Sequence, residues 1–248
     1  MGRVPPRQVV PRDQTVVTAW DRRARRARFL ADSFASAREI LTFYAGLAEW
    51  QGRVAPQVTS FSSAVAAIPP LLKYLKMYSP YALAQAAREF EIPQAERVLR
   101  AYWEGQSDPS INDFFARAAL QPYASSLPEG LDCPWCIKPP QAGCLHAQGD
   151  GLAFKLVCAL CLRRRPFPRT QCPGCGESAE SNIASFTAPD FPHMRLLACE
   201  TCKGYLHVVD LERDLAAIPE VDELAGLPMD LWAVESGYHK LQPNLAGV

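Results

Sequence analysis

Cys133-Pro-Trp-Cys136 is the first of four Cys-x-x-Cys pairs, which recur as Cys158-Ala-Leu-Cys161, Cys172-Pro-Gly-Cys175 and Cys199-Glu-Thr-Cys202. Eight of the nine cysteines therefore lie in pairs. A two-residue gap lets one tight turn direct two thiolates at a single cation, and two such turns complete a tetrahedral site of the kind that binds zinc or iron. One pair alone could be a redox motif, but four pairs predict two metal sites.

We expect the pairs to combine in sequence order. The first metal would be held by Cys133, Cys136, Cys158 and Cys161, and the second by Cys172, Cys175, Cys199 and Cys202. A metal knuckle usually needs a left-handed backbone just after its second cysteine, which favours glycine. Gly176 meets that need, whereas Gly204 comes one residue late, and the first two pairs are followed by Ile137 and Leu162. The first site is therefore expected to be strained, weaker or differently shaped.

Length and composition indicate a globular chain, because 48% of its 248 residues are apolar and could form one large core or two smaller ones. No apolar run approaches the length that spans a membrane, and the start, MGRVPPRQVVPRDQ, lacks the apolar core of a secretory signal. The sequence therefore predicts a cytoplasmic protein without membrane insertion. In such proteins paired cysteines are more often metal ligands than disulfides.

Charge is unevenly distributed along a chain whose net charge is zero. Residues 1–130 carry 16 Lys and Arg against 12 Asp and Glu, and residues 131–248 carry 10 against 14. Metal-bound thiolates would make the second half more acidic still. Proteins that grip phosphate backbones need a basic face. Although residues 163–165 and Arg169 form a local arginine cluster, this balance argues against a nucleic-acid partner.

Residues 13–125 predict an all-helical domain, preceded by a Pro- and Arg-rich extension at 1–12 that we expect to be disordered. Asp13 could cap a first helix through about Leu30, whose arginines would form a solvated face. A second helix is expected over about residues 36–51, where apolar side chains recur at helical spacing. Proline in the first turn marks further helix starts at Ser79-Pro80, Ile92-Pro93 and Asp108-Pro109.

The cysteine-bearing region predicts two tandem four-cysteine metal ribbons, at 131–168 and 169–215, followed by a helical tail at 216–248. Short apolar or alternating runs lead into and out of the cysteine pairs, as small ribbon strands should. Each ribbon is too small to bury a sufficient core, so metal binding would supply much of its folding free energy, on the order of 10 kcal/mol per site. A helix is expected in the tail over about Asp230 to Tyr238.

Several motifs in the second half share the pattern of one known family. Beside the cysteine pairs they are Asp190-Phe-Pro-His-Met-Arg195, Ala198-Cys-Glu-Thr-Cys-Lys-Gly-Tyr205, Val209-Asp-Leu211 and the ending Leu231-Trp-Ala-Val-Glu-Ser-Gly-Tyr-His-Lys-Leu-Gln-Pro-Asn-Leu-Ala-Gly-Val248. With them the chain resembles the FdhE family of formate dehydrogenase accessory proteins over most of residues 130–248, and more weakly over its helical half. The resemblance implies a helical domain joined to two rubredoxin-like metal modules.

The resemblance also implies a function. FdhE proteins are cytoplasmic, chaperone-like maturation factors, thought to bind the molybdenum-containing catalytic subunit of respiratory formate dehydrogenase before export. On this chain the family's ligands for two ions, iron or zinc, fall on the eight paired cysteines. The family commonly has Gly after the first pair and Glu-Trp after the second, where this chain has Ile137 and Leu162-Arg-Arg-Arg-Pro-Phe-Pro. These departures concern the shape and metal preference of the first site and remove no ligand.

Two closed four-sulfur sites leave no open coordination position for a substrate, so we expect binding rather than catalysis and predict no catalytic residue. Two other classes of function stay open. One is a nucleic-acid-binding zinc-ribbon protein, and the other is a rubredoxin-like electron-transfer or thiol-disulfide protein. A homodimer also stays open.

Other residues that could carry chemistry have simpler interpretations. We expect Cys144 and His146 in a loop, although either could replace a ligand at the first site. His207 could turn toward the second metal, while His193 and His239 are expected at the surface or in packing. Four tryptophans are expected in the core, and Trp135 either exposed or as a lid over the sulfurs; the four are Trp20, Trp50, Trp103 and Trp232.

Overall fold

The first half of the chain is helical, as the sequence predicts. A computed structural model describes residues 17–107, 110–128 and 133–245, so the expected disorder at 1–12, the cap at Asp13 and the helix start at Asp108-Pro109 lie outside the described residues. The helices that precede the sheet in the described residues are α1 (Ala19–Ser33), α2 (Arg38–Val54), α3 (Phe61–Ala66), α4 (Ile68–Tyr78), α5 (Tyr81–Glu89), α6 (Ala95–Glu104) and α7 (Ile111–Ser126).

Helix α1 begins after Thr18, where two side chains satisfy backbone donors that the helix leaves free. The Thr18 hydroxyl accepts from the backbone N–H of Asp21 at 3.1 Å, and the Asp21 carboxylate accepts from the backbone N–H of Thr18 at 2.8 Å. This reciprocal capping box fixes the start of the helix. Ala24, Ala27 and Leu30 are then buried in the main core, on the face toward α2.

A single sheet holds both halves of the cysteine-bearing region. Its strands are β1 (Ala142–Gln148), β2 (Gly151–Val157), β3 (Arg164–Pro166), β4 (Ile183–Phe186), β5 (Met194–Cys199), β6 (Gly204–Asp210) and β7 (His239–Lys240). Their order is β3-β2-β1-β6-β5-β4, and β7 pairs with β6. The helical region is thus followed by a sheet region, which is the predicted order.

The two ribbons are joined rather than merely placed in tandem. Strand β1 of the first ribbon pairs in parallel with β6 of the second, with Gly143 opposite Val208 and Leu145 opposite Asp210. Each ribbon would otherwise leave a strand edge unpaired, and buried backbone groups need partners. The sheet continues through this join, a feature that cysteine spacing does not reveal.

The expected helical tail contains two helices, α8 (Pro219–Ala225) and α9 (Leu227–Glu235). Helix α9 lies three residues earlier than the helix expected over Asp230 to Tyr238, and α8 was not predicted. Every residue of α8 is buried, because the helix lies between α1 and α2 on one side and β1 and β6 on the other. This segment is therefore part of the interior. Among the described residues, no helix combines the length and apolar character that a membrane span requires.

Two arginines of α1 correct the expectation of a solvated arginine face. Arg23 donates from Nε to Glu220 at 2.7 Å, and Arg26 donates from Nε to Asp222 at 3.0 Å and from Nη2 to Asp214 at 2.6 Å. Arg23 and Arg26 are buried, while other arginines of the same helix are exposed. The buried cations match the acidic residues of and beside α8, which tie the sheet region to the helical region.

Candidate metal centres

The four cysteines expected at the first site lie together. Cys133 and Cys136 precede β1, and Cys158 and Cys161 lie in the turn between β2 and β3. One sulfur from each lies within 4.8 Å of all the others, and the sulfurs of Cys136 and Cys161 are 3.5 Å apart. An ion with Zn–S bonds of about 2.3 Å places tetrahedral sulfurs about 3.8 Å apart. The group therefore has the dimensions of a single four-sulfur site.

The second group has the same dimensions. Cys172 and Cys175 lie in the turn before β4, and Cys199 ends β5 just before the turn that contains Cys202. The sulfurs of Cys172 and Cys202 are 3.7 Å apart, as are those of Cys175 and Cys199, and all four lie within 4.8 Å of one another. Both groups thus combine the pairs in sequence order, and both could hold a metal ion.

The backbone after each pair shows how the turns are formed. The residue after the second cysteine is left-handed in three of them, with φ of 61° at Leu162, 81° at Gly176 and 59° at Lys203. In the last pair the left-handed position is occupied by Lys203 itself, so the turn forms without a glycine there and does not depend on Gly204. A side chain disfavours positive φ, so Leu162 strains the first site as expected, but Lys203 strains the second site in the same way, and strain does not distinguish the two sites. Ile137, after the first pair, does not have a positive φ and is 90% exposed.

Backbone N–H groups point at sulfurs of the second group. Gly174 donates to the sulfur of Cys172 at 3.3 Å, and Gly204 donates to that of Cys202 at 3.4 Å. Such bonds stabilise thiolate charge and orient a ligand. Both glycines are also close to Leu241, since a Cβ added to either would clash with its Cδ2. Leu241 covers both turns from the far end of the sequence, and no ligand spacing could have identified it.

The first group is anchored in the helical region. Trp135, between the first two cysteines, stacks on Tyr102 of α6 with ring centroids 4.4 Å apart and donates from Nε1 to the Tyr102 carbonyl at 3.0 Å. The carbonyl of Ala159, between the other two cysteines, accepts from Arg117 at 3.0 Å and from Gln121 at 3.2 Å, both on α7. Each turn of the first site is therefore held by a helix.

The second group lies nearer the surface, where Cys175 is exposed. Beside this group, the Glu177 carboxylate accepts hydrogen bonds from the hydroxyl of Thr201 at 2.6 Å, the side-chain amide of Asn182 at 3.0 Å and the backbone N–H of Ala179 at 2.8 Å. These hydrogen bonds, Thr201's first, lower the pKa of Glu177 to about 2. An ionised Glu177 thus connects the Cys172–Cys175 turn to the Cys199–Cys202 turn.

Protons are shared unevenly among the metal-free thiols of the first group. The hydrogen bond from Cys133 is the largest contribution that lowers the pKa of Cys158, and the same contact raises the pKa of Cys133. Burial raises the pKa of Cys136. One thiolate is therefore stabilised by protonated neighbours. A metal ion would displace those protons, because cysteine binds metal as the thiolate.

The remaining candidates lie elsewhere. Cys144 and His146 belong to β1 rather than to a loop, and neither lies in a cysteine group. His207 is buried against Asp230, with Nε2 2.7 Å from the carboxylate, and does not turn toward the second group. His193 is buried and pairs with Asp222 at 2.9 Å, whereas His239 is exposed in β7.

The tryptophans divide into three kinds of environment. Trp20 and Trp50 are in the core as expected, and Trp103 is partly buried against it. Trp232 is 41% exposed, so the prediction that it lies in the core is wrong. Trp135 is buried against Tyr102, so the alternative that it is exposed is wrong.

A third group of possible ligands joins His193, Asp214 and Asp222 at the junction of the two regions. Arg26 already binds both carboxylates, through Nη2 to Asp214 and through Nε to Asp222. A guanidinium at this position supplies the positive charge that a metal ion would bring. The group is therefore explained as an ion-pair network.

Comparisons with known proteins point to one family. Residues 170–246 match the family model described as FdhE, C-terminal domain. A protein from Aquifex aeolicus named Protein FdhE homolog is 24% identical over 262 residues, which cover 88% of this chain and 92% of that protein. One of the same name from Pseudomonas aeruginosa is 33% identical over 184 residues, which cover 66% of this chain and 59% of that protein.

The fold agrees with these matches. The crystal structure of the FdhE protein from Pseudomonas aeruginosa superimposes with a TM-score of 0.69 and 27% identity, covering 91% of this chain and 94% of that one. The likeness therefore extends over both the helical region and the sheet region. On the family model, the relatives and the shared fold together, this chain belongs to the FdhE family.

Proposed function

We propose that the chain is a cytoplasmic accessory protein for respiratory formate dehydrogenase, which binds the catalytic subunit of that enzyme during assembly and before export. Membership of the FdhE family supports the accessory role, and it is the observation that carries the proposal. The two four-sulfur groups support binding over turnover, because four ligands close the coordination shell to a substrate. We expect no nucleic-acid partner.

The eight cysteines would hold two ions, zinc or iron, as Cys133, Cys136, Cys158 and Cys161 at the first site and Cys172, Cys175, Cys199 and Cys202 at the second. A bound ion at either site supplies cross-linking of four thiolates, and iron would also supply one-electron chemistry. The residues of the chain orient the sulfurs and keep the turns rigid. Rigid turns lower the ordering cost of binding a partner. The division into segments 13–125, 131–168, 169–215 and 216–248 is proposed on the same basis, with the ribbons sharing one sheet.

Exposure at one site favours electron transfer as a second candidate function. Cys175 is exposed at the second group, whereas three cysteines of the first group are buried. An iron ion behind an exposed thiolate could exchange an electron with a partner. Reversible reduction of an iron-loaded second site by a one-electron reductant, followed by its visible spectrum, would support this candidate.

The binding role is tested by purifying the tagged chain from cells that produce the catalytic subunit of formate dehydrogenase. We expect the subunit to be retained by the native chain. It should be lost from a Cys133→Ser, Cys172→Ser double variant, because both sites lose a ligand. Cys144→Ser is the matched control, since Cys144 lies in neither group. Equal recovery from a chain without tag, or no recovery with the native chain, contradicts the proposed client.

A further inference from the structure

The two edges of the sheet differ in their protection. At one edge, the backbone N–H of Cys158 donates to the Arg163 carbonyl at 3.0 Å, and the backbone N–H of Phe167 donates to the Phe154 carbonyl at 3.1 Å. The residues between these bonded positions, Arg164 and Pro166, therefore direct their backbone groups away from β2. Pro166 has no N–H to offer, and the strand carries two arginines. Proline and charge are the features by which proteins prevent pairing at an edge. Strand β3 is therefore a closed edge.

Strand β4 forms the other edge and has neither feature. The backbone N–H of Glu200 donates to the Asn182 carbonyl at 2.8 Å. Backbone groups alternate in direction along an antiparallel strand, so those of Ala184 and Phe186 also point toward β5. The N–H and carbonyl of Ser185 consequently point outward, and within the described part of the chain no hydrogen bond reaches them. Ile183–Phe186 contains no charge and no proline. This edge can accept another strand.

An exposed aromatic side chain of α9 adjoins β4. The ring of Phe186 lies 4.6 Å from that of Trp232 on α9, centroid to centroid. Trp232 is 41% exposed. An exposed aromatic side chain beside an unpaired strand offers the side-chain contact that a peptide-binding edge needs.

Charge around β4 indicates the kind of strand it would accept. Residues 176–194 contain Glu177, Glu180 and Asp190 and no Lys or Arg. The cation on the neighbouring strand, Arg195, pairs with Asp210 at 3.6 Å. Glu180 and Asp190 lie beyond the two ends of β4, so a second copy of this chain paired antiparallel about Ser185 would bring the Glu180 end of each strand beside the Asp190 end of the other. Like charges brought close together are destabilising, which disfavours a β4-to-β4 dimer.

We propose that β4 binds an extended segment of a partner protein as an additional strand. The segment is apolar at the alternate positions that face α9 and carries Lys or Arg at its ends. The main-chain groups of Ser185 provide the hydrogen bonds, and Phe186 with Trp232 of α9 provides the apolar contact. This inference rests on the binding role proposed above and adds a surface and a chemistry to it.

The experiment measures binding of a fluorescent synthetic peptide, Lys-Lys-Val-Thr-Val-Ser-Val-Thr-Lys-Lys, to the full metal-loaded chain by anisotropy. Two control peptides separate the causes: one carries an N-methyl group on each of its six central residues, which blocks main-chain pairing in either strand direction, and in the other glutamate replaces every lysine. We expect each control to bind at least about tenfold more weakly than the first peptide. Ser185→Pro should weaken binding of the first peptide similarly, and Ser185→Ala should leave it within about twofold.

Charge variants keep the N–H and guard against misfolding of the proline variant. Ser185→Glu should strengthen binding of the basic peptide and Ser185→Lys should weaken it, each by about threefold. No saturable binding up to about 1 mM, or equal binding by Ser185→Pro and the native chain, overturns the inference. If the formate dehydrogenase subunit is retained and the peptide is not bound, the surface is wrong and the binding role stands. If the peptide is bound and the subunit is not retained, the client is wrong and the surface stands.

Discussion

Gly176 shows at the residue scale how a single backbone angle shapes a metal site. Its φ is 81°, and an added Cβ would meet only Gln171, at 3.7 Å. Gly176→Ala should therefore act through backbone strain alone, at a cost of about 1–2 kcal/mol, and should speed loss of metal from the second site to a chelator. Gly151→Ala is the control, because Gly151 has no positive φ and its Cβ would meet nothing within 4 Å. Equal chelator rates in the two variants would contradict this role.

Arg26 is the residue on which the buried junction depends. Arg26→Met should lower the free energy of unfolding by about 3–5 kcal/mol, because Asp222 and Asp214 lose their cation in the interior. Arg28→Met, on the same helix, should cost no more than about 1 kcal/mol, since its pair with Glu49 is 54% and 38% exposed at the two side chains. Denaturant unfolding of both variants, with metal present, measures the difference. Similar losses would show that burial of the pair is unimportant.

Residues whose partners lie nearby in the sequence could be predicted, and those with distant partners could not. The eight cysteines show a fixed spacing, which indicates their grouping. The burial of Arg26 depends on Asp222, which is 196 residues away, and a helix face rich in arginine is usually solvated. The position of Leu241 over the second site could not be predicted either, because the turns it contacts are also distant in the sequence.

At the scale of the element, the first cysteine turn is docked onto α6 by one side chain. Trp135→Ala removes the stacking on Tyr102 and the hydrogen bond to its carbonyl. We expect a loss of about 3–5 kcal/mol in the free energy of unfolding and faster loss of metal from the first site only. Ile137→Ala changes the same turn at a side chain that is 90% exposed and should alter stability by no more than about 0.5 kcal/mol. Unchanged metal retention in Trp135→Ala would refute the docking role.

Helix α9 is held to β6 through Asp230, which accepts from Tyr205 at 2.9 Å and lies 2.7 Å from Nε2 of His207. Burial acts to raise the pKa of Asp230, but the opposing effects of His207, Lys240 and Tyr205 prevail, so its pKa lies below the ordinary 3.8. A lowered carboxyl pKa contributes stability above pH 3.8, and that stability is lost as the pH falls through the folded-state pKa.

Asp230→Asn should therefore lower the free energy of unfolding by about 1–3 kcal/mol at neutral pH. The difference from the native chain should narrow below pH 3.8, where the native carboxyl takes up a proton. Asp190→Asn is the control, because Asp190 is exposed. Unfolding curves across this pH range provide the measurement, and a difference that does not change with pH would count against the ionised contact.

Elements with a strong local pattern were the predictable ones. Helix α2 follows from its apolar periodicity, and the strands beside the cysteine pairs follow from their short apolar runs. Helix α8 was missed because it is buried on all sides, so its sequence Pro-Glu-Val-Asp-Glu-Leu-Ala shows acidic residues where an apolar face is expected. Arg23 and Arg26 of α1 pair with Glu220 and Asp222, and Lys240 pairs with Glu223, which makes that burial tolerable.

At the scale of the whole molecule, the helical and sheet regions share one core. The main cluster of buried side chains includes residues of α1 to α7, cysteines of the first site, and Val221 and Leu224 of α8. The predicted order of a helical region before a cysteine-bearing region is confirmed. The parallel pairing of β1 with β6 and the insertion of α8 could not be predicted, because both depend on contacts between segments with no shared pattern.

Because the first cysteine group is part of this shared core, its metal should affect the stability of the entire chain. The metal of the second group should affect only the end of the sheet that carries it. Loss of metal from the first site should loosen contacts of α6 and α7, whereas loss from the second should be confined to β4, β5 and β6. The central claim is that both cysteine groups hold structural ions.

Counting metal in chain purified without oxygen, by elemental analysis alongside titration of free thiols, tests that claim most directly. We expect two equivalents of zinc or iron per chain with only Cys144 outside a metal site, and one equivalent in each of Cys133→Ser and Cys172→Ser. A native chain that is folded, holds no metal and has all nine cysteines free to react would contradict the account.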